Sequence, residues 1–88
     1  MNIDRKLDII YELLDNYCIN GDFESCDKYI ESVDIGKISI TELLGILTIT
    51  FIWRNKLSKR DKFYNDVSEY VYQHFSNDES DSIMIGLK

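Results

Sequence analysis

The single histidine of the chain, His74, is the side chain best suited to acid–base catalysis. A general base needs an orienting partner within hydrogen-bond reach, and the nearest acids along the chain are Glu69 and Asp78. No Cys/His or Ser/His pattern, metal-ligand spacing or glycine-rich phosphate loop is present. We therefore predict that the protein is not an enzyme, that it holds no metal or cofactor, and that His74 is a core or boundary residue.

The two cysteines, Cys18 and Cys26, are too few for a disulfide scaffold. Cysteine often behaves as a small buried hydrophobic residue, and we expect that role here. The first ten residues, MNIDRKLDII, enter a helical pattern with acidic residues inside it, unlike a signal peptide. These features predict a reduced protein in the cytoplasm of a bacterial host cell.

Four acidic side chains, here called the acid stripe, recur at helical spacing near the N-terminus: Asp4, Asp8, Glu12 and Asp15. Like charges one helical turn apart cost about 0.2–0.5 kcal/mol per pair. An ordinary solvated face would explain such a run. The functional alternative is a docking face for a basic protein partner, or a mimic of a phosphate backbone. A docking face of this kind would speed association and weaken with salt.

A second charged cluster, here called the basic corner, spans residues 54–62 between the third and fourth predicted helices. Its basic residues are Arg54, Lys56, Lys59, Arg60 and Lys62, of which the first four are the candidate partner-binding residues. Cations are favourable near a helix C-terminus, and this preference accounts for part of the basic cluster. The corner also predicts an alternative partner site, or a nucleic-acid-binding regulator. However, the net charge of the chain is −6, and nucleic-acid binding needs a basic footprint. We therefore do not expect nucleic acid as the partner.

The last predicted helix carries several aromatic residues, among which Tyr70 and Tyr72 do not both fit one buried face. One explanation is that the rings are partly buried while their hydroxyls stay in water. The alternative is that these tyrosines belong to a protein interface, where tyrosine is enriched. The second explanation predicts a homo-oligomer, with the chain acting as a self-associating structural or assembly protein.

Apolar periodicity predicts four helices, at about residues 3–19, 22–34, 39–55 and 58–75. Asn20-Gly21 supplies a helix stop, and Asp22 is a favourable N-cap residue for the second helix. Residues 76–88 begin with a polar, acidic run that is typical of a mobile tail.

The third predicted helix is the most apolar part of the chain, because Glu42 is its only charged side chain between Ile38 and Trp53. A helix that is apolar on nearly every face must be surrounded by protein or lipid. A membrane span needs roughly 20 apolar residues, so we predict no membrane association and a central position in the core. The many β-branched residues of 46–53 leave a strand as the alternative.

The start of this third helix carries a capping box, Ser39-Ile40-Thr41-Glu42, which favours the helical interpretation. Further along, Thr41, Gly45 and Thr48 recur at helical spacing. Their small side chains form a strip against which another helix could pack closely.

Residues 7–34 resemble one helical hairpin of the tetratricopeptide repeat family. The resemblance is carried by Leu13, Tyr17, the turn Gly21–Glu24, the small residue Cys26, and Tyr29-Ile30. It departs where Leu14 replaces a small residue and where Ile35-Gly36 replaces the usual proline. The resemblance implies two packed antiparallel helices and, weakly, peptide or protein binding, because that family binds mainly through stacked repeats.

These observations predict an all-α, four-helix compact domain built of two antiparallel helical hairpins around a buried third helix. The domain would cover residues 1–75, followed by an acidic, mobile tail at 76–88. The abundant Ile, Asn and Lys and the absence of Pro and Ala are typical of an AT-rich genome, such as that of a low-GC bacterium or its phage. We therefore expect a non-catalytic protein–protein interaction module, in sharper form a small acidic phage-type inhibitor or adaptor that docks on a host protein.

Overall fold

The computed structural model describes the backbone of residues 2–87 and the side chains of residues 8–86, and its regular structure there is entirely helical. Five α-helices follow one another: α1 (Asn2–Ile19), α2 (Phe23–Ser32), α3 (Ile40–Ile52), α4 (Arg60–His74) and α5 (Asn77–Met84). Short 3₁₀ turns occupy Ile35–Lys37 and Ile85–Leu87. The all-α prediction is confirmed for this part of the chain. The strand alternative at 46–53 is wrong, and the helix count is five instead of four.

Local capping signals in the sequence set several helix boundaries. After α1, Gly21 adopts a φ of 77°, the left-handed conformation that glycine tolerates best. Asp22 then caps α2 by accepting a hydrogen bond from the backbone N–H of Ser25 at 3.3 Å. The hydroxyl of Ser39 likewise accepts from the N–H of Glu42 at 3.1 Å at the start of α3. These caps confirm the predicted starts of the second and third helices.

Helix α5 occupies the segment in which the sequence predicted a mobile polar tail. The hydroxyl of Ser76 caps it by accepting from the N–H of Glu79 at 3.2 Å, and its acidic first turn suits the positive end of the helix dipole. Ser80 and Met84 are buried, and the Ser80 hydroxyl donates to the carbonyl of Val71 in α4 at 3.2 Å. The segment is therefore packed against α4, because one face of a short polar helix carries enough small and apolar side chains to be buried.

Helix α1 makes its most extensive contact with α3, and the two helices run in the same general direction. Asp8 lies beside the first half of α3, whereas Asp15 contacts Trp53 at its end. Helix α4 contacts α5 and α2 and, less extensively, α3. The radius of gyration is 12.6 Å, close to the roughly 12 Å expected for a compact domain of this length. The pairing of α3 with α4 as a second hairpin stays a prediction.

The core gathers buried side chains from all five helices and from the loop before α4. Its buried apolar members are Leu14, Cys18, Cys26, Ile30, Leu43, Ile46, Leu47, Ile49, Leu57, Phe63, Val67, Val71 and Met84. Helix α3 supplies the largest share, as its apolar character predicts. Within residues 2–87, no helix combines the length and the apolar character needed to cross a membrane.

The start of α4 is capped by a side chain from another helix. Lys59, at the N-cap position, makes no capping hydrogen bond with its own side chain. Instead, the carboxylate of Asp27 in α2 accepts from the N–H of Lys59 at 3.0 Å and the N–H of Ser58 at 3.3 Å. It also accepts from the Ser58 hydroxyl at 2.9 Å. Asp27 thus satisfies amides that the first turn of a helix leaves without intrahelical partners.

Candidate functional site

One face of α3 is turned away from the core. The residues of this outward face recur at helical spacing: Thr41 and Ile52 are exposed, and Leu44, Gly45 and Thr48 are half-buried. The Ile52 side chain at its end is 53% exposed. Because the helix is apolar on nearly every side, burying one face in the core leaves a largely apolar face outside. The sequence predicted a helix enclosed on all sides, whereas the structure encloses it only in part.

An open groove runs between this outward face and α1. Asp8 and Tyr11 of α1 line one wall, and the opposite wall is formed by Thr41, Leu44, Gly45 and Thr48 of α3. The groove has a volume of about 490 Å³. The Thr48 hydroxyl donates to the carbonyl of Leu44 at 2.7 Å, so this threonine needs no partner from the groove for its hydroxyl proton. An apolar side chain can therefore pack against the α3 wall without leaving the Thr48 hydroxyl proton unsatisfied.

The acid stripe lies on the α1 side of this groove. Asp8 is exposed and lines the groove, Glu12 is exposed one helical turn further along, and Asp15 is half-buried. Among the side chains of residues 8–86, none of these three carboxylates has a cation within ion-pair distance. The side chain of Asp4 lies outside the described residues. Helix α1, which borders the apolar groove, thus carries three carboxylates. None of them forms a salt bridge with a described residue.

Trp53 packs where the C-terminal end of α3 meets α1. Its indole Nε1–H donates a long hydrogen bond to Oδ1 of Asp15 at 3.5 Å. Its ring lies against Phe23 of α2, with the two ring centroids 6.0 Å apart. The only tryptophan of the chain therefore contacts the helix that carries the acid stripe, which makes its fluorescence a local reporter.

The four candidate partner-binding cations of the basic corner do not form one exposed cluster. Arg60 is only 6% exposed, and its guanidinium lies 4.8 Å from the ring centroid of Tyr64. Lys59 pairs with Glu31 at 4.0 Å. Arg54 is exposed, donates to the carbonyl of Phe51 at 2.8 Å and covers the Phe51 ring. Lys56 is exposed. The corner consequently presents less free positive charge than its sequence indicates.

The two tyrosines singled out in α4 have different surroundings. Tyr70 is half-buried and its ring lies 4.4 Å from that of His74. Tyr72 is 41% exposed, and its hydroxyl donates to the carboxylate of Asp81 in α5. That hydrogen bond raises the pKa of the Tyr72 hydroxyl above its usual value. Tyr72 therefore helps to hold α5 against α4, a structural role that the sequence did not indicate.

His74 lies exposed in the last turn of α4. A core position for His74 is therefore wrong, and its ring contacts that of Tyr70, with the two centroids 4.4 Å apart. No three His, Cys, Asp or Glu side chains among the described residues are grouped closely enough to hold a metal ion.

Cys18 and Cys26 are both buried, as predicted, and both are free thiols. Burial, with a smaller contribution from Cys18, raises the pKa of the Cys26 thiol to about 12. Burial also raises the pKa of Cys18. Because the thiolate is the nucleophilic form, these shifts make both side chains poor nucleophiles near neutral pH.

We expect both cysteines to resist a thiol-specific reagent in the native protein at pH 8 and to react fully after unfolding in urea. The physical reason is that burial blocks access and keeps the thiols protonated. The course of labelling, followed by mass spectrometry, measures this directly. Rapid modification of either thiol in the folded state would contradict the packing of α1 against α2.

Two contacts that organise the molecule were missed by sequence reasoning. The capping of α4 by Asp27 joins positions more than thirty residues apart, and no local sequence pattern indicates it. The burial of Arg60 likewise has no local signal in a run of basic residues. Helical periodicity did group Thr41, Gly45 and Thr48 on one side of α3, and in the structure these residues line the open groove beside α1.

Comparison with known protein families, curated protein sequences and solved structures found no match to this chain. The likeness of residues 7–34 to a tetratricopeptide hairpin therefore stays a local resemblance.

Proposed function

We propose that this chain is a non-catalytic protein–protein interaction module that docks on its partner through the acid stripe and the outward face of α3. The observation that carries the proposal is the apolar groove left open beside carboxylates that have no described ion-pair partner. In sharper form, the chain is a small acidic inhibitor or adaptor of phage type that acts on a host protein in the bacterial cytoplasm.

The isolated chain carries two unfavourable features that a partner would relieve together. Exposed apolar surface that adjoins polar residues is typical of interaction sites, and covering it yields roughly 25 cal/mol per Å² removed from water. The like charges of the acid stripe repel one another along α1, and a basic partner would offset that repulsion. Neither feature stabilises the isolated chain, so a binding role accounts for both.

Self-association through α4 is the alternative function, and the sequence argument for it stands on Tyr70 and Tyr72. The structure supports it less, because Tyr70 is half-buried against His74 and Tyr72 is engaged with Asp81. A nucleic-acid-binding regulator is the other alternative, and the burial of Arg60 weakens its basic footprint.

The acid stripe is tested by reversing two of its charges. The double variant Asp8→Lys, Glu12→Lys should keep its stability or gain about 0.2–0.5 kcal/mol, because like-charge repulsion in α1 is relieved. Affinity capture from a host lysate should retain a partner on the wild type that the variant loses. Once that partner is purified, its association rate with the variant should be slower and less sensitive to salt.

A matched control reverses two exposed acids on other helices, Glu24→Lys and Glu69→Lys. It makes the same change in net charge but leaves α1 intact, so the partner should still bind it. Equal association rates of wild type and the α1 variant, at both low and moderate salt, would show that the acid stripe is an ordinary solvated surface and not a docking face.

A further inference from the structure

We propose that the occupant of the α1–α3 groove is a basic amphipathic helix of the partner protein. This inference rests on the proposed function and adds the chemistry of the docking segment. The helix would lay an apolar face against Leu44, Gly45 and Thr48 and direct lysine or arginine side chains at the acid stripe. Docking of an amphipathic helix in an apolar groove is a recurrent mode of peptide recognition.

The small side chains of the groove favour a helix as the occupant. Gly45 and Thr48 lie one turn apart on the α3 wall, and small residues let helix backbones approach closely. The stretch from Thr41 to Ile52 rises about 16 Å at 1.5 Å per residue. That length matches roughly three turns of a partner helix.

Charge complementarity determines the sign of the charge that the partner helix must carry. Asp8, Glu12 and Asp15 carry the charge along the α1 side, and among the side chains of residues 8–86 no basic one lines the groove. From Asp8 to Asp15 the helix rises about 10 Å. Cations at helical spacing along a partner helix would therefore face carboxylates at matching intervals, whereas an acidic helix would be repelled.

The test uses three synthetic 14-residue peptides without tryptophan. The first places leucines at helical spacing with lysines on the flanks, the second replaces each lysine by glutamate, and the third scrambles the first so that the spacing is lost. Binding to the full chain is followed by Trp53 fluorescence and by the backbone amide shifts of α1 and α3. Titrations are run at low and at moderate salt.

Three double variants locate the binding. A groove variant, Thr41→Gln with Thr48→Gln, places long polar side chains in the groove without changing charge. A charge variant, Asp8→Asn with Glu12→Gln, removes two carboxylates. The control, Glu24→Gln with Glu69→Gln, makes the same charge change elsewhere. Circular dichroism of each variant checks that the helical content is kept.

We expect only the basic amphipathic peptide to bind. Its affinity for the groove variant should fall about tenfold or more, the size of change that truncating or blocking an interface anchor commonly produces. The charge variant should bind several-fold more weakly at low salt and with less salt dependence. The control should bind as the wild type does.

Five results would overturn the inference. Equal binding of the basic peptide to the wild type and the groove variant would show that the peptide is held by general ionic attraction and not by the groove. If the acidic peptide bound as well as the basic one, charge would not be the cause of binding. If the scrambled peptide bound as well, helical spacing would not be the cause. Failure of every peptide would exclude a basic helix. Sedimentation showing a wild-type dimer that the groove variant loses would make a second copy the occupant.

The two proposals can fail separately. If capture of a lysate partner depends on Asp8 and Glu12 while no peptide binds, the interaction module stands and the helix inference fails. If the basic peptide binds in the groove but no captured partner depends on those acids, the proposed docking function fails.

Discussion

Leu47→Ala should destabilise the protein by about 2–5 kcal/mol, the usual cost of such a truncation in a packed core. Leu47 is 1% exposed and lies on the core face of α3. The substitution removes apolar contacts and leaves a cavity that the neighbouring helices can close only in part. Because domains of this size have total stabilities of roughly 5–15 kcal/mol, the loss should be evident in urea unfolding followed by circular dichroism.

The matched control for this substitution is Ile52→Ala, on the same helix but on its outward face. Its side chain is 53% exposed, so little surface is returned to water and the free energy of unfolding should change by less than about 1 kcal/mol. Similar losses at the two positions would contradict the orientation of α3. They would also remove the open groove on which the proposed function depends.

Asp27→Ala should cost about 0.5–2 kcal/mol of stability, the usual cost of removing a side chain that caps a helix N-terminus. The carboxylate of Asp27 accepts hydrogen bonds from Ser58 and Lys59 at the start of α4. No side chain in that first turn replaces it, because Lys59 does not cap its own helix. Equilibrium urea unfolding gives the size of the loss, and amide exchange should show the first turn of α4 opening more often.

The variant Asp27→Asn separates geometry from charge. Asparagine keeps one acceptor oxygen but loses the negative charge that favours a helix N-terminus, so its stability should lie between those of the wild type and Asp27→Ala. Glu24→Gln, on the same helix but exposed, should be nearly neutral. An alanine variant as stable as the wild type would show that α4 does not need the cross-helix cap.

The open face of α3 links stability to the proposed binding role. The residues that anchor the core and those that line the groove alternate along one helix, so the core face fixes where the outward face points. Substitutions at Thr41 and Thr48 should therefore change binding with little effect on folding, whereas substitution at Leu47 should mainly change folding. This separation lets the two roles of α3 be measured independently.

Most of the secondary structure was predictable from the sequence because its causes are local. Helical periodicity, the turn at Gly21 and the caps at Asp22 and Ser39 all act within about one helical turn. The apolar character of α3 likewise predicted its large contribution to the core. Helix α5 was missed because it is short and mostly polar, and its pattern was interpreted as a mobile tail.

The sequence by itself thus determined the helical elements α1 to α4, the most apolar helix, the acid stripe as a charged face of α1 and the burial of the two cysteines. Only the tertiary structure decided that α1 lies along α3, that a groove stays open between them, that Arg60 is buried and that Asp27 caps α4. The reason is physical. Periodicity and caps depend on neighbours a few residues away, whereas these contacts join surfaces far apart in the chain. Which surfaces meet depends on how the whole core packs.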